Sequence, residues 1–161
     1  EMLASGLTVG LGTDGCASNN NLDLFMEMDM AAKIHKVNTM DPTVMDAITV
    51  LKMATIGGAT VLGLEDFTGS LEVAKKADII VVDTYQPHLV PMYNPFSHLV
   101  YAVNGNDVCH TIINGRLVME DRDLLTLDLD EVIAHAKEKA VKVRSWISNG
   151  AHPKNENGQT Q

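Results

Sequence analysis

Val9 and Leu11 alternate with Gly10 and Gly12, and the run closes at the turn dipeptide Asp14-Gly15. A short apolar run with a turn at its end predicts a strand over residues 7–12, buried on both faces. Helical spacing follows. Leu22, Met26, Met30, Ile34 and Val37 make one stripe within residues 19–37, which predicts a helix burying that face. Its methionines are expected to fill core. Ser18, or one of Asn19–Asn21, stands where a side-chain oxygen caps that helix. Asp41-Pro42 predicts a second helix, with Asp as cap and Pro at the first helical position. Val44, Ile48 and Leu51 would face inward. Residues 56–63 read as a short helix stopped by Gly63.

The pattern changes near Glu65, where glycines and short β-branched runs replace helical stripes. Gly69-Ser-Leu-Glu72 reads as a strand start, and residues 77–83 as a buried strand. Residues 108–119 predict a hairpin, because Asn114-Gly115 accepts the positive φ values of a type I′ turn. Residues 86–95, punctuated by prolines, read as a crossing loop that could contact a neighbouring subunit. Residues 130–148 predict a last helix capped by Asp130, with Val132, Ile133, Ala136, Ala140, Val143 and Ile147 inward. The polar, aromatic-free residues 149–161 predict a disordered tail.

Composition narrows the partners. The chain has 161 residues, 45% of them hydrophobic, and a net charge of −9. No basic stripe exists to neutralise phosphates, which argues against a nucleic-acid partner. No run reaches the roughly 18 apolar residues of a membrane span. Cys16 and Cys109 form no Cys-x-x-Cys motif, so free thiols in a reducing cytoplasm are expected.

The candidate chemistry centres on Asp14. An acid just past a strand's carboxyl end, then a polar loop and a helix, is how an α/β protein presents a catalytic carboxylate. Two other readings compete. Asp14-Gly15 is also an ordinary turn. Gly10, Gly12 and Gly15 match a dinucleotide-binding G-x-G-x-x-G, but the second strand ending in an acid about 20 residues on is missing.

Gly12-Thr-Asp-Gly15 followed by Ala17-Ser-Asn-Asn-Asn-Leu-Asp-Leu-Phe25 resembles the last barrel strand of the metal-dependent amidohydrolases. Residues 54–63, Gly69-Ser-Leu-Glu72, residues 76–83, residues 97–102 and Val118-Met-Glu-Asp121 extend the resemblance to about Ile147. Within that superfamily the chain is most similar to the 5-methylthioadenosine/S-adenosylhomocysteine deaminases and related chlorohydrolase-like proteins. The resemblance implies an α/β fold: a C-terminal fragment of a (β/α)8 barrel, with its last strand and following helices. The C-terminal half of a composite β-sandwich and a terminal helix would follow. The implied division is residues 1–64 for the barrel part, 65–148 for the sandwich part with its helix, and 149–161 for the tail. A complete barrel takes about 250 residues, so the chain is too short to hold one. Glu1–Gly6 reads as the end of a helix and its glycine stop, which predicts the C-terminal part of a longer enzyme.

By the same resemblance the reaction is hydrolytic deamination of a small purine-like substrate, with Zn or Fe as the divalent metal. Asp14 would be both metal ligand and proton shuttle. Ser18 would shape the substrate-facing loop, although helix capping and Asx-turns are the favoured reading of Ser18 and Asn19–Asn21. Asp23 reads as helix-dipole compensation. The family's His-x-His pair is absent, since no two of the six histidines stand at that spacing. His35 and His135 read as surface residues, His98 as a structural hydrogen-bonder, His110 as a cross-strand contact, and His152 falls in the tail. The chain alone is therefore expected to hold no catalytic metal and to be inactive. A lone barrel strand exposes pairing groups, so a homo-oligomer or poor solubility is expected. The rival functions are a non-catalytic α+β assembly module and a dinucleotide-binding fragment.

Overall fold

A computed structural model describes residues 2–148. The chain divides into two compact units, Glu1–Asp123 and Leu124–Gln161. In the first unit, helices α1 (Cys16–Asn19), α2 (Leu24–Thr39), α3 (Ala47–Ala54) and α4 (Ile56–Val61) precede strand β1 (Ile79–Val82). Helix α5 (Pro95–Tyr101), then β2 (Val108–Ile113) and β3 (Arg116–Glu120), complete it. A two-residue β4 (Asp123–Leu124) follows, and the sheet order is β1-β2-β3-β4. Helix α6 (Leu129–Ser148) lies in the second unit.

The core sits where α2, α3 and α5 meet. Met28, Ala32, Ala47, Val50 and Val100 are buried there, with Leu11 and Phe25 packed against them. The face of α2 that does this is not the one its sequence stripe predicts. Met28 and Ala32 are 3% and 0% exposed, whereas Met26 and Val37 are 53% and 72% exposed. Both α3 and α5 lie on the Met28–Ala32 face, where an alanine lets a neighbour approach closely. Periodicity locates a stripe, and the available neighbour decides which face is covered. The stripe Met26, Met30, Ile34 is left exposed.

Several local expectations shift by a few residues. The predicted helix over residues 19–37 begins only at Leu24, as α2; Asn19 ends the separate helix α1, and residues 20–23, starting with Asn20 at φ 56°, lie between the two. Asp23, not Ser18 or Asn19–Asn21, caps α2, its carboxylate accepting from Phe25 N. The second helix starts at Ala47, capped by Asp46 through Thr49 N at 2.8 Å. Asp41 instead closes a turn on Thr43. Both aspartates suit a cap, and only the later one precedes a run that packs.

Gly69-Ser-Leu-Glu72 forms no strand. Gly69 is at φ +90°, and a Cβ there would stand 2.7 Å from the Ala59 methyl, so this glycine serves a tight bend against α4. The hairpin is as predicted: Asn114 and Gly115 have φ 51° and 76°, and β2 pairs antiparallel with β3. β1 is the sheet's other edge. Its Ile80 and Val81 are 49% and 42% exposed, less buried than the sequence predicts, because no strand lies outside it among the described residues. Asp78 ties the hairpin turn to this edge, its Oδ1 accepting from Asn114 N at 2.6 Å.

In the second unit, Asp128 rather than Asp130 caps α6, accepting from Glu131 N at 3.0 Å. Asp130 lies inside the first turn, where its charge complements the helix dipole. No residue of α6 is buried, so its predicted inward face is uncovered. Among the described residues no helix is long and apolar enough to cross a membrane. The predicted disordered tail, with His152, lies outside the described residues.

Candidate functional site

Residues 7–12 belong to no strand, which corrects the expected barrel strand. A parallel strand exists only through its neighbours' hydrogen bonds, and the described residues supply none. The segment is held from one side by helices instead. Leu11 N donates to Met53 O of α3 at 3.1 Å. A Cβ on Gly10 would stand 2.9 Å from Gly58 Cα, and one on Gly57 would stand 3.1 Å from Val9 O. The glycines of the would-be phosphate motif thus divide. Gly10 serves a backbone-to-backbone seam with α4, while Gly12 and Gly15 have open space around them.

Asp14 follows this seam. It is exposed, and its backbone is left-handed at φ 57°, a conformation aspartate adopts more readily than most non-glycine residues because its side chain can bond nearby backbone. Asp14 Oδ1 accepts from Gly15 N at 2.6 Å, and Thr13 Oγ1 donates to Asp14 O at 3.1 Å. No described hydrogen bond reaches Asp14 Oδ2. Asn20, Met40, Met45 and Ala74 among others are left-handed too, so Asp14 is set apart by its place after the glycine seam and not by its φ.

The loop after Asp14 is closed by side-chain amides. Gly15 begins α1, with Ser18 N donating to Gly15 O at 2.9 Å. Ser18 is therefore inside α1 and exposed. Asn19 Nδ2 donates to Thr13 O at 2.9 Å and to Glu27 Oε1 at 2.5 Å. Asn21 Oδ1 accepts from Asp23 N at 3.0 Å. Asp23, which the sequence reading assigned to dipole compensation, makes a longer link as well as its cap. Its Oδ2 accepts from Gly105 N at 3.0 Å, 82 positions along the chain.

A second polar knot supports Gly105. Asp107 is 4% exposed, and its Oδ2 accepts from Asn104 N at 2.9 Å and Asn104 Nδ2 at 3.0 Å. His88 Nε2 lies 3.0 Å from the same oxygen. Sequence reasoning missed this knot. The Asn104-x-x-Asp107 spacing carries a capping-box signal, but nothing in the sequence brings His88 to it. Nearby, Asp83 accepts from Tyr85 N, Gln86 Nε2 and Arg122 Nη2. These donors, Tyr85 N–H foremost, hold its carboxyl below the usual carboxylate range.

The histidines do not converge on Asp14. His98 Nδ1 lies 3.1 Å from Asn94 O within α5, the structural bond expected of it. His110 Nδ1 accepts from Asp121 N at 3.2 Å. His35 and His135 are exposed. Among the described residues no three His, Cys, Asp or Glu side chains form a group able to hold a metal ion. Asp14 suits one place in such a set, being an exposed oxygen donor, and the described residues do not make the set. Between α2, α4 and β1 lies an apolar cleft of about 700 Å³, lined by Leu11, Phe25, Met28, Leu64 and Ile79 among others; Asp14 is not among its lining residues.

These elements define an α/β chain in which an acid is displayed where a helix-braced extended segment turns into the short helix α1. The chain belongs to the amidohydrolase family, which matches residues 1–118. It is 58% identical to 5-methylthioadenosine/S-adenosylhomocysteine deaminase 1 of Syntrophus aciditrophicus, covering 91% of this chain and 33% of that relative. It is 53% identical to the 5'-deoxyadenosine deaminase of Methanosarcina barkeri, covering 92% and 34%. Among solved structures, a zinc-bound adenosine deaminase from Xanthomonas campestris has a TM-score of 0.86 and 37% identity, covering 89% of this chain and 33% of that one. The chain spans about a third of the length of these relatives.

Proposed function

We propose that this chain is the C-terminal third of a metal-dependent deaminase that hydrolyses the exocyclic amine of an aminopurine nucleoside. The substrate class is that of 5-methylthioadenosine and S-adenosylhomocysteine. The similarity to relatives named for that activity supports the reading. The observation that carries it is the exposed Asp14 at the end of the glycine seam. In the whole protein residues 1–64 would complete a barrel, residues 65–148 a small β-sandwich, and the tail would follow.

A divalent metal, Zn or Fe, supplies a hydroxide at neutral pH when a full ligand set holds it. The described residues offer one member of that set, so the remaining ligands would come from polypeptide beyond them. Asp14 does two things in this reading. It would occupy one ligand place, and its carboxylate would take a proton from the attacking water and return it to the leaving ammonia, a role worth on the order of 10²–10⁴-fold. Ser18, exposed on α1, would help shape the loop that faces the substrate. Two free cysteines, Cys16 exposed and Cys109 half-buried, support a reducing cytoplasmic setting. The exposed Met26–Met30–Ile34 stripe supports a homo-oligomer.

The test is ammonia release from 5-methylthioadenosine and S-adenosylhomocysteine by the full-length protein. Asp14→Asn should reduce kcat by at least about 10²-fold, and the 161-residue chain alone should release no ammonia. Undiminished turnover in Asp14→Asn, or turnover by the isolated chain, overturns the proposal.

A further inference from the structure

We propose that Asn19 is a positioning residue whose amide sets the direction of Asp14. This inference rests on the reading of Asp14 as the catalytic carboxylate. Both Nδ2 protons of Asn19 are committed, one to Thr13 O at 2.9 Å and one to Glu27 Oε1 at 2.5 Å. Thr13 O belongs to the peptide unit that carries Asp14 N. Holding that carbonyl fixes the plane from which the Asp14 backbone turns left-handed at φ 57°.

The other end of the clamp is equally fixed. Glu27 stands in the first turn of α2. That turn is capped by Asp23 through Phe25 N, and Asp23 is bonded onward to Gly105 N. Gly105 in turn sits beside the buried Asp107 knot. Asn19 is half-buried while Asp14 is exposed, so the anchor is shielded where the aimed group is free. A carbonyl and a carboxylate both accept, so the link requires a donor with two protons on one atom. Asparagine supplies that, and aspartate, serine or alanine cannot.

Two measurements test it, with Asn19→Ala, Asn19→Asp and Glu27→Gln. In the chain as it stands, amide hydrogen exchange is followed over residues 13–23. Asn19→Ala should speed exchange there about tenfold with no change in α3 or β2. In the full-length protein, Asn19→Ala should lower kcat by about 10–100-fold, the usual cost of removing a supporting partner, with KM within about twofold. Asn19→Asp should lose at least as much. Glu27→Gln, which keeps an accepting oxygen, should retain most of the rate. Unchanged exchange and kcat in Asn19→Ala beside an inactive Asp14→Asn overturn the inference and leave the deaminase reading standing. Full activity in Asp14→Asn overturns both.

Discussion

Replacing Asp23 should separate two jobs that one carboxylate performs. Oδ1 caps α2 through Phe25 N at 2.9 Å, and Oδ2 holds Gly105 N at 3.0 Å. Losing an aspartate cap for alanine costs about 1 kcal/mol. A hydrogen bond to a charged acceptor contributes about 1.5–3 kcal/mol when shielded. The Gly105 link is exposed, so water replaces part of it and about 1 kcal/mol is the appropriate figure. Asp23→Ala should therefore cost about 2 kcal/mol, which in a domain of this size lowers Tm by about 4–8 °C. Asp23→Asn keeps the cap, since the two residues are equivalent there, and should cost about half as much. Gly105→Ala tests the second link from the other side, because its Cβ would stand 3.1 Å from Asp23 Oδ2. In a double-mutant cycle followed by circular dichroism, Asp23→Ala and Gly105→Ala together should cost less than their sum. Strict additivity, or Asp23→Asn as damaging as Asp23→Ala, refutes the two-job account.

Two further outcomes are expected. Gly10→Ala drives a methyl to 2.9 Å from Gly58 Cα; backbone cannot yield as a side chain does, so urea unfolding should show a loss of about 1–3 kcal/mol, and a neutral result would mean the seam is loose. Stability should also fall in acid through Asp78 and Asp83. Their carboxyls are held low, Asp78 chiefly by Asn114 N–H and then the Thr68 hydroxyl, Asp83 chiefly by Tyr85 N–H and then Gln86 and Arg122. A carboxyl lower in the folded state stabilises fully above its unfolded value, near about 4, and the contribution is lost as pH falls through the folded value. Melting scans should be flat from about pH 7 to 5 and drop below about 4. Asp78→Asn and Asp83→Asn should flatten that acid limb, and an unaltered limb would show that other groups govern it.

Local chemistry was legible in the sequence, and the choice of neighbour was not. Asn114-Gly115 predicts its hairpin because the positive φ values of the turn, 51° and 76°, are a property of those two residues. The sequence places the two caps at Asp41 and Asp130, whereas Asp46 and Asp128 provide them, since several aspartates satisfy the same local rule. The stripe on α2 was visible, but its buried side depended on where α3 and α5 lie. Residues 7–12 had a strand's composition, and strand character needs partners that the described residues lack. Asp14 stood out through the motif around it. The Asn19 and Asp23 links, reaching 8 and 82 positions along the chain, left no periodic trace.

The contact between Gly10 and Gly58 has a bearing on how this scaffold could be altered. Since Val9, Gly10 and Leu11 rest on α3 and α4, changes in those helices should shift the segment that leads to Asp14, as moving a footing shifts what stands on it. Gly57 and Gly58, where an added methyl would press on Val9 or on Met53 O, are accordingly the places where an engineer could move residues 9–11 without touching Asp14.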